Sequence, residues 1–139
     1  MGSPSENVAK LRNAYRQWHK SKGGSVNVWL DLMADDVRCY SLAAGAPQAE
    51  FTAPIASKKD FERYFKGLLG DWEMIHYTTG DFIAEGERVA MLGSTGWRNR
   101  KTGRVLDTPK ADFWTFRDGK VVEFHGYYDT AALIATAKA

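Results

Sequence analysis

The chain carries a single cysteine, Cys39, so no internal disulfide can staple it. Cys39 lies in a strand-like run, Val37 to Leu42, and reads as a small buried hydrophobe without a redox role. Long apolar runs are missing too. None approaches the ~18 residues of a membrane-spanning helix, and the N-terminus shows no apolar leader core, so a cytoplasmic protein with no membrane partner is expected. Charge of one sign is scarce: the formal net charge of +2 gives no reason to expect a nucleic acid partner. The one dense basic stretch, Arg98 to Arg104, reads as the solvated tip of a hairpin. Metal-ligand spacing is absent, because His19, His76 and His125 fall on separate elements, and no metal is expected. Gly93-Ser94-Thr95-Gly96 lacks the spacing of a nucleophile elbow, and no glycine-rich phosphate loop occurs, so no cofactor is expected.

What the chain has in abundance is aromatic bulk. Five Trp, six Tyr and seven Phe make up 13% of the 139 residues, more than a core of this size needs, and large flat side chains suit a pocket wall or an interface. Hydrophobic residues at 44% and charged residues at 26% are ordinary for a globular chain, and the length predicts one domain, residues 1–139, around one core.

Ser3, Pro4 and Glu6 form a helix start, followed by Val8, Leu11, Tyr15 and Trp18 at helical spacing until Gly23-Gly24. Ser25 is placed to cap a second helix with Val28, Trp29, Leu32 and Met33 on its apolar face. A short strand over Val37 to Leu42 precedes an irregular loop, Ala43 to Ala56, read as cover for a pocket mouth. Ser57 with Asp60 opens a third helix that turns Phe61, Tyr64, Phe65, Leu68 and Leu69 inward and stops near Gly70. From Asp71 the pattern becomes strands separated by short turns: about Trp72 to Ala84, Arg88 to Asn99, Val105 to Arg117 and Val121 to Tyr128. Asp129 then caps a last helix, Thr130 to Ala139. Helices first and a long meander after predict an α+β fold: a cone-shaped, strongly curved antiparallel sheet wrapped around three N-terminal helices, closed by a short C-terminal helix.

Leu32-Met33-Ala34-Asp35-Asp36-Val37, Ser57 to Phe65, Phe116 to Glu123 and Tyr127-Tyr128-Asp129, together with the amphipathic first helix, resemble the nuclear transport factor 2-like superfamily. Its members include ketosteroid isomerases, SnoaL-like polyketide cyclases, limonene epoxide hydrolases and scytalone dehydratases. The resemblance spans nearly the whole chain and implies a cavity for a small organic molecule. It does not imply one activity, since this fold hosts several chemistries and plain binding subunits.

Asp112 is the leading candidate for chemistry. Strand alternation puts it on one face with Trp114 and Phe116, and apolar surroundings disfavour a carboxyl group's anionic form, which suits a proton donor or a poised acid/base. The resemblance puts at this position the acid that ketosteroid isomerases use on an oxyanion. An outer-face, solvated Asp112 is the competing reading. His76 is a candidate proton shuttle, similar to the strand histidine of scytalone dehydratases, or else a histidine bonded within the sheet. Tyr40 is expected to assist with its hydroxyl. Tyr15, Trp18, Leu92, Arg98, Trp114, Phe124 and Tyr128 are the expected ligand-binding residues, with Arg98 either reaching an anionic group or simply solvated beside the basic turn.

Two family acids are missing. The resemblance sets ketosteroid isomerase's proton-transferring aspartate at Ser41, and the aspartate of SnoaL-like cyclases and limonene epoxide hydrolases at Gly126, and neither residue replaces it. The register of the resemblance sets Phe124, Gly126 and Tyr128 toward the pocket and His125 on the outer face of the sheet, as a dimer contact rather than a catalytic group. The expectation is thus a small-molecule pocket protein, as a cofactor-independent isomerase, dehydratase or cyclase acting on a small apolar carbonyl or hydroxy compound. A non-catalytic ligand-binding or dimeric assembly module is the alternative. A homodimer is expected either way, because Phe113, Val122 or Tyr127 on the outer face call for cover.

Overall fold

A computed structural model describes residues 3–138. Four helices, α1 (Pro4–Lys20), α2 (Val26–Leu32), α3 (Lys58–Asp71) and α4 (Thr130–Ala137), surround five strands, β1 (Met33–Ser41), β2 (Trp72–Glu85), β3 (Arg88–Asn99), β4 (Val105–Arg117) and β5 (Lys120–Tyr128). The expected final helical residue, Ala139, lies outside the described residues. Caps set the helix starts: Ser3 accepts from the Glu6 amide at 3.2 Å, Ser57 from Asp60 at 3.1 Å and Asp129 from Ala132 at 2.9 Å. Ser25 behaves differently. It precedes α2 without capping it, and its hydroxyl is buried with no partner. The seven-residue α2 also ends sooner than its apolar pattern suggests, because Met33 already belongs to β1.

The sheet order is β1-β5-β4-β3-β2. Strands β2 to β5 form the antiparallel meander, whereas β1 runs parallel to β5, with Cys39 opposite Phe124 and Ser41 opposite Gly126. A parallel edge was not legible from the meander pattern, since the chain between β1 and β5 includes α3 and three other strands. The region Ala43 to Ala56, expected as plain loop, holds a 3-10 helix over Pro47–Thr52, tied by Gly45 N–H donating to Thr52 Oγ1 at 2.9 Å.

Curvature comes from strand length and from breaks in register. Strands of 12 to 14 residues twist and coil, and β2 carries irregularities between Met74 and His76 and between Thr79 and Asp81, while β5 carries another at Val122, the residue skipped between the Thr115–Glu123 and Phe116–Val121 pairs. Each extra residue bends its strand and reverses which side chains face the helices. The helices fill the hollow this makes: Leu11, Ala14, Tyr15 and Trp18 of α1, Trp29 of α2 and Phe61 and Phe65 of α3 are buried against Met91, Trp97, Trp114 and Phe124 of the sheet.

Gly93 marks where β2 and β3 approach most tightly. A Cβ there would lie 2.1 Å from the Thr78 carbonyl oxygen, so the backbone itself has to move. Gly93→Ala is expected to cost about 2 kcal/mol, within the range for overpacked sites, and to lower Tm by on the order of 5–10 °C. Differential scanning calorimetry beside Gly70→Ala, where a Cβ meets nothing within 4 Å, isolates the steric effect.

Candidate functional site

The hollow between helices and sheet leaves a cavity of ≈ 100 Å³, several times the roughly 10–15 Å³ that holds one water. Its walls are aromatic: Trp18 of α1, Trp29 of α2, Phe65 of α3, Trp97 and Trp114 of the sheet and Phe124 of β5. Trp29 and Trp114 stack in parallel with centroids 5.1 Å apart, and Trp114 packs on Phe124 at 4.3 Å.

One buried carboxyl group interrupts this surface. Asp112 is 1% exposed, held on the inner face of β4 with Trp114 and Phe116 by strand alternation. Tyr15 of α1 donates its hydroxyl to Asp112 Oδ2 at 2.6 Å, and Tyr77 of β2 donates to the same oxygen at 2.7 Å. The Lys110 ammonium, two residues back on the same face, closes on Oδ1. Trp114 Nε1 donates to the Tyr15 oxygen at 2.8 Å, which leaves the Tyr15 proton to Asp112. The carboxyl group is therefore the common acceptor of three donors from three elements.

Burial keeps these phenols protonated. Tyr15 and Tyr77 are both pushed well above the usual phenol value of 10.0, first by desolvation and then by the Asp112 charge. Tyr64, on the wall from α3, is raised for the same first reason. Tyr128 is raised by burial against the opposing bonds of its hydroxyl, which lies 2.5 Å from Ser41 Oγ and accepts from the Ala43 amide at 3.2 Å. Ser41 is thus bound to Tyr128 at the sheet edge.

Of the expected ligand-binding residues, Tyr15, Trp18, Trp114, Phe124 and Tyr128 line the cavity beside Asp112. Four other candidates lie elsewhere. His76 is turned out by the β2 bulge: Trp72 and Met74 face inward, Ile75 is the extra residue, and Tyr77 rather than His76 resumes the inner face. The His76 ring instead bonds Thr78 at 2.9 Å and Asp107 at 3.3 Å. The bulge is satisfied by side chains, with Tyr77 N–H donating to His19 Nδ1 at 3.0 Å and Thr95 Oγ1 to the His76 carbonyl at 2.9 Å. Tyr40 alternates with buried Cys39 and is exposed, stacked on His125 with centroids 4.8 Å apart. Leu92 and Arg98 share the outer face of β3, since Met91, Thr95 and Trp97 take the inner one. Arg98 meets Glu73 at 3.6 Å and the Gly103 carbonyl at 3.3 Å, so it does not reach a cavity ligand. Sequence reasoning missed Tyr77 and Lys110. Lys110 was accessible by the alternation that selected Asp112, whereas Tyr77 was hidden by the bulge.

The Cys39 thiol is buried and desolvation raises its pKa, which leaves it inert. Among the described residues no three His, Cys, Asp or Glu side chains gather closely enough to hold a metal ion, and no helix is long and apolar enough to cross a membrane.

A curved sheet closed by helices over an aromatic hollow with a polar cluster at one wall defines a cone-type α+β cavity protein. The chain belongs to the SnoaL-like domain family, whose model matches residues 11–124. No curated protein matches it by sequence. Solved structures share the fold. A nuclear transport factor 2-like protein of unknown function from Burkholderia pseudomallei is 21% identical over 96% of this chain and 98% of its own, with a TM-score of 0.82. A SnoaL-like polyketide cyclase, so assigned provisionally, from Jannaschia is 16% identical over 98% and 94%, with a TM-score of 0.76. A hypothetical protein with a ketosteroid isomerase-like fold from Catenulispora acidiphila, in complex with trimethylamine, is 15% identical over 88% and 89%, at 0.71.

The cluster makes two measurable demands on stability. Tyr77→Phe removes one bond to a charged acceptor and is expected to cost about 2 kcal/mol; Tyr15→Phe also orphans the Trp114 N–H and should cost about 3 kcal/mol. Urea denaturation of both variants should give that order, and equal losses would contradict the relay through Tyr15. The phenols also set an alkaline limit. Above pH ~10 the unfolded chain releases tyrosine protons that the folded chain retains, so stability falls as pH rises. Tyr77→Phe should flatten that fall in urea melts taken between pH 9 and about 11.5.

Proposed function

We propose that this protein works as one domain, in the cytoplasm, and takes a small, largely apolar carbonyl or hydroxy compound into the aromatic cavity, where it moves a proton without a cofactor. The reaction class is isomerisation, dehydration or cyclisation. The observation that carries this reading is the convergence of Tyr15, Tyr77 and Lys110 on the buried Asp112 carboxyl at the cavity wall. In this scheme Asp112 accepts a proton from carbon next to the ligand carbonyl and returns it at a second position. The phenol of Tyr77, or that of Tyr15, turns from Asp112 to the carbonyl oxygen as negative charge builds there, an interaction that strengthens in a dry site. Trp18, Trp114, Phe124 and Tyr128 hold the apolar body of the ligand so that the exchanging carbon stays near Asp112. His76 and Tyr40 have no part in this scheme.

A second reading, a binding subunit without turnover, is favoured by one specific feature: donors from the chain already meet both oxygens of Asp112, and neither Ser41 nor Gly126 adds a second acid. A homodimer fits either reading. The outer face of the sheet exposes Leu92, Phe113 and Tyr127 at 41%, 44% and 42%, and Arg88 stands among Glu85 and Glu123 in the adjoining groove, so a two-fold partner finds both apolar cover and opposite charge.

Proton transfer is measurable without knowing the natural substrate. In D2O, 1H NMR of 2-tetralone and 1-indanone is expected to show enzyme-dependent loss of the protons beside the carbonyl, with Asp112→Asn slower by at least about 100-fold. Ketones that bind yet exchange at the buffer rate would establish the non-catalytic reading instead.

A further inference from the structure

We propose that Lys110 makes the cavity selective for ligands bearing an anionic oxygen on a flat apolar body: carboxylates, acidic enols of 1,3-dicarbonyl compounds, or acidic phenols. The proposal rests on the cavity reading above and narrows its ligand class.

A glycine on the neighbouring strand makes room for the Lys110 side chain. Across the sheet, Asp112 of β4 pairs with Gly126 of β5, which pairs in turn with Ser41 of β1; Lys110 and Tyr128 form the next row. A Cβ at Gly126 would meet Lys110 Nζ at 2.9 Å and the Phe124 ring at 3.2 Å. The missing side chain is thus the space that the ammonium occupies. Where the resemblance expected an acid at residue 126, the wall carries a cation.

Donor accounting gives the next step. An ammonium has three N–H donors, and the acceptor that Lys110 meets among the described residues is Asp112 Oδ1. Its other charged-group contacts are the ring faces of Phe124 and Tyr128, at 5.5 and 5.4 Å, which favour the cation without using its hydrogen-bond directions. Lys110 lines the cavity and is 12% exposed, so its remaining donors serve whatever enters. Asp112, meanwhile, spends Oδ2 on two phenols. A ligand approaching this pole meets the unused donors of the ammonium at the positive end of an ion pair whose carboxylate is already met by two phenols, in surroundings where charges interact far more strongly than in water.

The same geometry disfavours the opposite ligand. Aromatic walls around a carboxylate would ordinarily suit an organic cation. Here Lys110 already pairs with that carboxylate and covers two of the rings, so a second cation meets repulsion. Arg98, the residue the sequence offered for an anionic group, is on the other face of the sheet; Lys110 is the cation that faces the hollow.

Three probes of one shape and different charge test this: 2-naphthoate, methyl 2-naphthoate and 2-naphthyltrimethylammonium, titrated into the full chain by tryptophan quenching and calorimetry at fixed ionic strength. Naphthoate is expected to bind at least 10-fold tighter than its ester, and the ammonium weakest. Lys110→Met should abolish the acid's advantage and leave the ester within about 3-fold. Because that variant strands the Asp112 charge, Lys110→Met/Asp112→Asn provides a charge-balanced companion, checked for folding by circular dichroism, in which the preference must also vanish. Acid and ester binding equally to the wild type overturns the selectivity while the cavity reading stands; so does a tightest-binding ammonium, or an acid preference that survives in the double variant. Binding of none of the three overturns both.

Discussion

A carboxyl group with almost no access to solvent has to be matched by donors, and Asp112 finds them on α1, on β2 and on its own strand. That requirement ties a helix to two non-adjacent strands at one point. It orients Tyr15, which in turn takes the Trp114 indole N–H, and Trp114 anchors the stack that reaches Trp29 and Phe124. The aromatic lining and the polar cluster are therefore one construction. Leaving a partner of Asp112 out strands a buried charge, which is costlier than the loss of an ordinary hydrogen bond.

Much of this was legible in the sequence wherever periodicity is the signal. The helix starts at Ser3, Ser57 and Asp129, the four-strand meander and the face that Asp112 shares with Trp114 and Phe116 all follow from patterns that depend on neighbouring residues alone. The site was legible where alternation runs undisturbed: Asp112 shares a face with Trp114, and Phe124 with Tyr128, the resemblance marking the latter face as the inward one. It failed where register breaks. The bulge at Ile75 exchanges His76 for Tyr77, and nothing in the local composition announces it, because the groups that satisfy it, His19 and Thr95, come from α1 and β3. Tyr40 is a different failure. Alternation with Val37 and Cys39 puts it outside, and a useful hydroxyl outweighed that pattern in the reading.

Ser41 and Gly126 show how a departure from a family pattern can be informative beyond the function it removes. Each lacks an acid, yet each has a structural partner in the hollow: Ser41 with the Tyr128 hydroxyl, Gly126 with the Lys110 ammonium. The wall has been rebuilt around a cation next to Asp112. Fold membership alone carries no such information, since the same cone holds walls of quite different charge.

The parallel pairing of β1 with β5 has a kinetic consequence. Residues as distant in the chain as Cys39 and Phe124 are direct neighbours, so that edge of the sheet has no partner to close on until β5 has been synthesised. Loop-closure entropy is paid before that contact rewards it. Pairings between segments this far apart slow a domain's folding relative to one built from local contacts.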